Sequence, residues 1–144
     1  MDPYFFELYE QGGLRFSVLR PEGSSQDYEF AVSLFKKGLN FYQNPSGDPL
    51  TLRRFWTHPV SLKIHEAYTH AFLRNDWRAA RIAFLEAAEL EQAPLYLKSM
   101  KEWLSSKAET SEIVLKKKVL QVMYRNAETE LLREKYKMEL EKIK

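Results

Sequence analysis

Two histidines lie close together near the middle of the chain, in the segment HEAYTH at residues 65–70. Zinc proteases place two histidines four residues apart on one helix face, with a glutamate directly after the first. Here the spacing is five residues, which turns the two rings about 140° apart on a helix. The third histidine, His58, lies on the other side of Pro59. We therefore predict no metal site, and we expect surface or capping roles for the histidines.

Other patterns typical of catalysis are missing from the sequence. It has no cysteine, no G-x-S-x-G nucleophile turn and no glycine-rich phosphate loop. Neighbouring carboxylates such as Glu128 and Glu130 stand among basic residues, as on a solvated helix face. We predict that the protein is not an enzyme and uses no cofactor, and a metal-dependent enzyme is the least favoured function.

Two basic clusters could contact phosphates. Arg53 and Arg54 precede Phe55 and Trp56, a mixture of cations and aromatic rings that suits single-stranded nucleic acid. Three lysines, Lys116, Lys117 and Lys118, form the second cluster, although consecutive residues of a helix cannot all face one partner. A solubilising surface is the favoured explanation for both clusters, so nucleic acid is the alternative partner.

Composition limits the classes of protein to consider. The chain has 144 residues, of which 44% are hydrophobic and 14% aromatic, and these values indicate one globular domain with a real core. Its net charge of +2 does not require a polyanionic partner. No apolar run approaches ~18 residues and no basic leader opens the chain, so we expect no membrane association and a cytoplasmic location.

The spacing of apolar residues between Ile64 and Pro94 predicts two amphipathic helices joined by a tight turn. Arg74-Asn75-Asp76 forms the turn, and Asp76 is placed to cap the second helix. Each helix has one apolar face at the 3.6-residue period. The faces consist of Ile64, Ala67, Tyr68, Ala71 and Phe72, and of Trp77, Ala80, Ala83, Phe84, Ala87 and Leu90.

This hairpin resembles one tetratricopeptide repeat. Asn75-Asp76-Trp77 matches the turn of that repeat, and Ala80, Phe84 and Ala87 match the small, aromatic and small positions of its second helix. Tyr68 departs from the pattern, since it replaces the small residue that packs the two helices together. The resemblance covers residues 64–94, with no second copy at a period of ~34 residues, and it implies a helical scaffold.

The rest of the chain predicts further helices. We expect a first helix that ends at Gly12-Gly13, an extended segment over residues 14–19, and a helix from Ser24 or Ser25 to Tyr42. A loop at residues 43–49 and a short helix over residues 95–104 follow from prolines and apolar spacing. The fold class is therefore all-α, a helical bundle or array of hairpins.

The C-terminal segment contains neither proline nor glycine, which predicts one long helix over residues 111–144. We divide the chain into a helical core domain at 1–110 and this helix, whose proximal half joins the core and whose distal half projects. The distal half carries one narrow apolar stripe, typical of a helix that packs on a partner. The stripe consists of Leu132, Tyr136, Leu140 and Ile143.

These patterns favour a protein–protein interaction module, such as an adaptor, a chaperone or a small subunit of a larger assembly. Its predicted contacts are Phe55, Trp56 and the C-terminal stripe, and its partner is another protein or a second copy of the chain. The alternative is an accessory subunit of a nucleoprotein complex that binds phosphates through Arg53, Arg54 and the three lysines.

Overall fold

A computed structural model describes residues 5–17, 23–43, 59–91, 93–105, 111–127 and 129–143. These residues are helical with short turns, and no strand occurs among them, so the all-α prediction is confirmed. The chain divides into two compact units, unit 1 at Met1–Ala93 and unit 2 at Pro94–Lys144. The first unit ends at Ala93, whereas the sequence analysis divided the chain at residue 110. None of the described helices is long and apolar enough to cross a membrane.

Unit 1 is an array in which helices that are neighbours in sequence are also neighbours in space. Helix α1 packs on α2, α2 on α3, and α3 on α4. The order explains why the middle helix, α3, is covered from two sides. The described elements are α1 (Phe5–Arg15), α2 (Ser25–Gln43), α3 (Pro59–Tyr68), a π-helix (Thr69–Leu73) and α4 (Trp77–Glu89).

The first helix passes through Gly12-Gly13, so the predicted end at this pair is wrong. Neither glycine has a positive φ, and helix α1 continues to Arg15. A methyl group on Gly13 would overlap the ring of Phe35 from α2. The glycine therefore serves close helix packing rather than termination. Leu14 and Arg15 are helical, which also contradicts the predicted extended segment in the part of 14–19 that the structure describes.

The predicted start of helix α2 is confirmed by its capping hydrogen bonds. Asp27 N–H donates to Ser24 Oγ at 3.2 Å, and Ser24 N–H donates to Asp27 Oδ2 at 3.0 Å. This reciprocal pair satisfies two backbone donors at the helix start. Of the loop predicted at residues 43–49, Gln43 belongs to helix α2, and residues 44–49 lie outside the described residues.

The central hairpin is present, and its turn is as predicted. Asp76 caps α4, because its Oδ1 accepts from Ala79 N–H at 3.0 Å, and Asn75 adopts a positive φ of 52°. The inward face of α4 is also confirmed, with buried Ala80, Ala83, Phe84 and Ala87. The first helix of the hairpin differs from expectation, because α3 widens into the π-helix and all its described side chains are buried.

In unit 2 the predicted single long helix is wrong. Helix α6 (Glu112–Arg125) ends at the cap Asn126, and α7 (Glu130–Lys142) begins after the cap Thr129. Thr129 Oγ1 accepts from Leu132 N–H at 3.2 Å, a cap that starts a new helix without any proline or glycine. The two helices pack on each other as a hairpin, so the distal half does not project. Helix α5 (Leu95–Ser105) precedes them, close to its predicted bounds.

Candidate functional site

A cluster of charged side chains lies between the helices of unit 1. The Nζ of Lys63 lies 3.0 Å from Glu66 Oε2 and 2.7 Å from Glu86 Oε2. The side chains of Lys63 and Glu66 are 10% and 4% exposed, so most of this ion pair is withdrawn from water. Lys36 reaches Glu66 from α2 at 3.6 Å. Three helices thus contribute to one network, which holds both signs of charge.

The surroundings favour the charged forms of both buried partners. Burial by itself would lower the pKa of Lys63, but the hydrogen bond that Lys63 donates to Glu86 and the negative charge of Glu66 raise that pKa above its ordinary value. Burial would likewise raise the pKa of Glu66, yet the hydrogen bond with His70 and the charges of Lys63 and Lys36 lower it. Lys63 therefore remains a cation, ill suited to act as a nucleophile.

The two histidines of the central segment are buried, so the expected surface or capping role is wrong for both. His65 is 5% exposed and packs against the ring of Phe35, with a centroid distance of 5.6 Å. Its Nδ1 has no hydrogen-bond partner among the described residues. Burial lowers the pKa of His65 to about 4, so its ring is neutral at pH 7.

His70 faces a different environment from His65. Its Nε2 lies 3.7 Å from Glu66 Oε1, and its Nδ1 lies 3.4 Å from a guanidinium nitrogen of Arg74. The two rings have separate neighbours, as their five-residue spacing predicts. Among the described residues, no three histidine or carboxylate side chains converge as ligands for a metal ion.

The π-helix shapes the wall of this cluster. Arg74 N–H donates to the carbonyl of Thr69 at 3.0 Å, five residues back, and Thr69 Oγ1 donates to the carbonyl of His65 at 2.8 Å. A π-turn adds a residue to the helix and is frequent at functional positions. Here it brings buried His70 to the edge of the charge cluster, and no spacing rule applied to the sequence indicated it.

An open cleft of about 740 Å³ lies over the cluster. Its lining mixes aliphatic and charged residues. Among the lining charges, Lys63 pairs with both Glu66 and Glu86. The lining consists of Lys36, Leu39, Asn40, Lys63, Glu66, His70, Ala79, Ile82, Ala83, Glu86, Glu89 and Leu90.

Unit 2 places the predicted apolar stripe differently from the sequence prediction. Tyr136 is 2% exposed, and Leu132, Leu140 and Ile143 are half-buried. Helix α7 packs against α6, and this contact buries Tyr136. A buried Tyr136 is not accessible to a partner, whereas Leu132, Leu140 and Ile143 keep part of their surface exposed.

Unit 2 nevertheless exposes many large apolar side chains. Eight such residues are exposed among the described parts of the chain, and six of them belong to this unit. Unit 1 contributes only Phe30 and Ile82. An isolated exposed apolar residue is ordinary, whereas a contiguous exposed apolar patch is typical of an interaction surface. The six are Leu95, Ile113, Val114, Tyr124, Leu131 and Met138.

The three consecutive lysines fall into two environments. Lys116 is half-buried, and its Nζ lies 2.9 Å from Glu112 Oε1, so it is engaged within its own helix. Lys117 and Lys118 are exposed, and the Nζ of Lys118 lies 5.6 Å from the centre of the Trp103 ring. Arg125, one helix turn beyond Gln121, is exposed as well. Sequence reasoning missed Arg125, although its spacing of eight residues from Lys117 was available as a signal.

The remaining predicted contacts, Arg53, Arg54, Phe55 and Trp56, lie outside the described residues, and so does His58. Comparison with protein-family models, with curated proteins and with solved structures finds no match to this chain.

Proposed function

We propose that this protein is a non-enzymatic protein–protein interaction module, an adaptor, chaperone or small subunit of a larger assembly, and that the α6–α7 hairpin supplies its binding surface. The observation that carries the proposal is the concentration of exposed apolar side chains in unit 2. Burying such side chains against a partner is favourable at roughly 25 cal/mol per Å² of apolar area. We also propose a reducing compartment such as the cytoplasm, because the chain has no cysteine.

Two features of unit 1 support a binding role without catalysis. The charges of its cleft are used in ion pairs within the unit, which leaves them to hold helices together. The hairpin over residues 64–94 resembles a tetratricopeptide repeat, and repeat proteins of that kind use helical surfaces for binding. An accessory role in a nucleoprotein complex has less support, because Lys116 is paired with Glu112 instead of being free for phosphates.

A photo-crosslinking experiment tests the proposal. A photoreactive amino acid replaces Ile113, which is 62% exposed on α6, and in a matched variant it replaces Ile82, which is 51% exposed in unit 1. We expect one protein to crosslink at residue 113 and not at residue 82. The crosslinked protein is then purified and its affinity for the chain is measured.

Binding of the purified partner should weaken at least tenfold in Ile113→Ser with Val114→Ser, and should hold within about twofold in Ile82→Ser. Circular dichroism has to show the same helix content in each variant. Equal binding by both variants, or equal crosslinking at both positions, would show that the hairpin is not the binding surface.

A further inference from the structure

The outer side of α6 carries positive charge without matching negative charge. At about 100° per residue, seven exposed residues occupy a sector of about 140°. Glu112, the one exposed carboxylate of this helix, belongs to its first turn and pairs with Lys116. The outer face of α6, as we call this sector, consists of Ile113, Val114, Lys117, Lys118, Gln121, Tyr124 and Arg125.

The neighbouring helix shows that this excess is specific to α6. The exposed residues of α7 include both signs of charge, and short ion pairs link Arg133 to Glu130 at 3.0 Å and Lys142 to Glu139 at 2.8 Å. Among the described residues, Lys117 and Arg125 have no such partner. Over the whole of unit 2 there are 12 basic and 8 acidic residues, a net charge of +4, against 10 and 12 in unit 1, a net charge of −2.

We infer that the outer face of α6 binds an acidic amphipathic helix of another protein. This inference rests on the proposed function and specifies the chemistry of the partner. Carboxylates of the partner would face Lys117, Lys118 and Arg125, and its apolar side chains would cover Ile113, Val114 and Tyr124. The face spans about 16 Å from Ile113 to Tyr124, enough for three turns of a helix packed alongside.

Two other occupants fit the face less well. A symmetric dimer through this face would bring Lys117, Lys118 and Arg125 near their own copies, and like charges repel. A nucleic-acid strand would neutralise the three cations, but its phosphodiester backbone would leave Ile113 and Val114 uncovered. An acidic amphipathic helix satisfies the cations and the apolar side chains together, as complementary interfaces do.

Selection from a displayed library of 15-residue amphipathic helices tests the inference, with the full chain as target and apolar positions held constant. The polar positions of the library vary freely among Glu, Lys, Gln and Ser. We expect the enriched peptides to be acidic. Lys117→Glu with Arg125→Glu should weaken their binding at least tenfold, whereas Lys37→Glu, an exposed cation of unit 1, should leave binding within about twofold.

The outcomes separate this inference from the proposed function. The enriched peptides could instead be neutral or basic and bind the Ile113→Ser variant more weakly than the unchanged chain. That result would support the outer face of α6 as the binding surface and would overturn its preference for acidic partners. Peptides that bind equally to all variants, or no enrichment above the unselected library, overturn the acidic helix as the occupant, while the crosslink at residue 113 still decides the proposed function. A 20-nucleotide single strand that binds through Lys117 and Arg125 but is indifferent to Ile113→Ser would replace the acidic helix by nucleic acid, with a salt slope near −2 for three phosphate contacts.

Discussion

Unit 1 buries charge, whereas unit 2 exposes apolar side chains. Helix α3 lies between α2 and α4, and all of its described side chains are buried. Lys63 and Glu66 on this helix form an ion pair that is mostly withdrawn from water. Helices α6 and α7 cover one side of each other, and residues such as Ile113 and Leu131 remain in solvent. The comparison shows that the number of neighbours around a helix decides which side chains are buried, in addition to the amphipathic pattern of that helix.

The largest effect should come from removing a buried ring in either unit. Phe84→Ala in unit 1 and Tyr136→Ala in unit 2 each delete a side chain that is at most 2% exposed. We expect each change to lower the free energy of unfolding by roughly 3–5 kcal/mol in urea titrations. Ile82→Ala, half-exposed on the same helix as Phe84, is the control and should cost under about 1 kcal/mol. If Tyr136→Ala lowered the free energy of unfolding by less than about 1 kcal/mol, Tyr136 would not be buried between α6 and α7. The apolar stripe on α7 would then be an exposed surface.

The buried ion pair of unit 1 should be the next most sensitive feature. Lys63→Met leaves the carboxylate of Glu66 in a nearly dry site with weaker contacts to Lys36 and His70, at 3.6 and 3.7 Å. We expect the free energy of unfolding to fall by about 3 kcal/mol, because removing one partner of a buried ion pair leaves the other charge buried without compensation.

The double variant Lys63→Met with Glu66→Leu should recover most of that loss, because it removes both charges and keeps their volume. Thermal melts of the two single variants and the double variant measure the coupling. Strict additivity of the two changes would contradict an enclosed ion pair.

Acid should destabilise the chain through His65. The pKa of its ring is about 4 in the folded chain and ordinarily 6.5, so the unfolded chain takes up the proton first as the pH falls. Stability that is present above pH 6.5 is therefore lost towards pH 4, by about 2 kcal/mol between pH 6.5 and 4.5.

Urea titrations at several pH values measure this slope, and His65→Leu should remove most of it. Glu66, whose pKa lies below its ordinary value of 4.5, contributes a further loss at still lower pH, which keeps the two effects apart. An identical slope in His65→Leu above pH 4.5 would show that its ring is not buried in the neutral form.

The smallest effect concerns the glycine pair of α1. Gly13→Ala would press a methyl group into the ring of Phe35, while the same change at Gly12 meets Leu34 Cδ1 at 3.3 Å, the end of a flexible side chain. Overpacking costs about 1–3 kcal/mol, and alanine returns up to about 1 kcal/mol of helix propensity. We expect Gly13→Ala to lower the free energy of unfolding by about 1 kcal/mol. Gly12→Ala should lower it by clearly less. A larger loss for Gly12→Ala than for Gly13→Ala would contradict the described packing of Gly13 against Phe35 of α2.

The sequence by itself determined the elements whose causes are local. The capping pair of Ser24 and Asp27, the turn capped by Asp76 and the inward face of α4 depend on residues within a few positions of one another. Apolar periodicity and side-chain capping act within one helix, so they can be found without knowing what the helix packs against. The all-α class follows from these signals.

The tertiary structure decided everything that depends on distant neighbours. The sequence predicts a helix end at Gly12-Gly13, but in the structure Gly13 lets α1 pack closely against Phe35 of α2. The sequence also predicts a surface role for His65, but its ring packs against Phe35 and is buried. The sequence between α6 and α7 contains no proline or glycine, and the packing of α7 on α6 distinguishes a hairpin from one long helix. Burial depends on which helices surround a residue, and that arrangement is set by contacts between segments far apart in the chain.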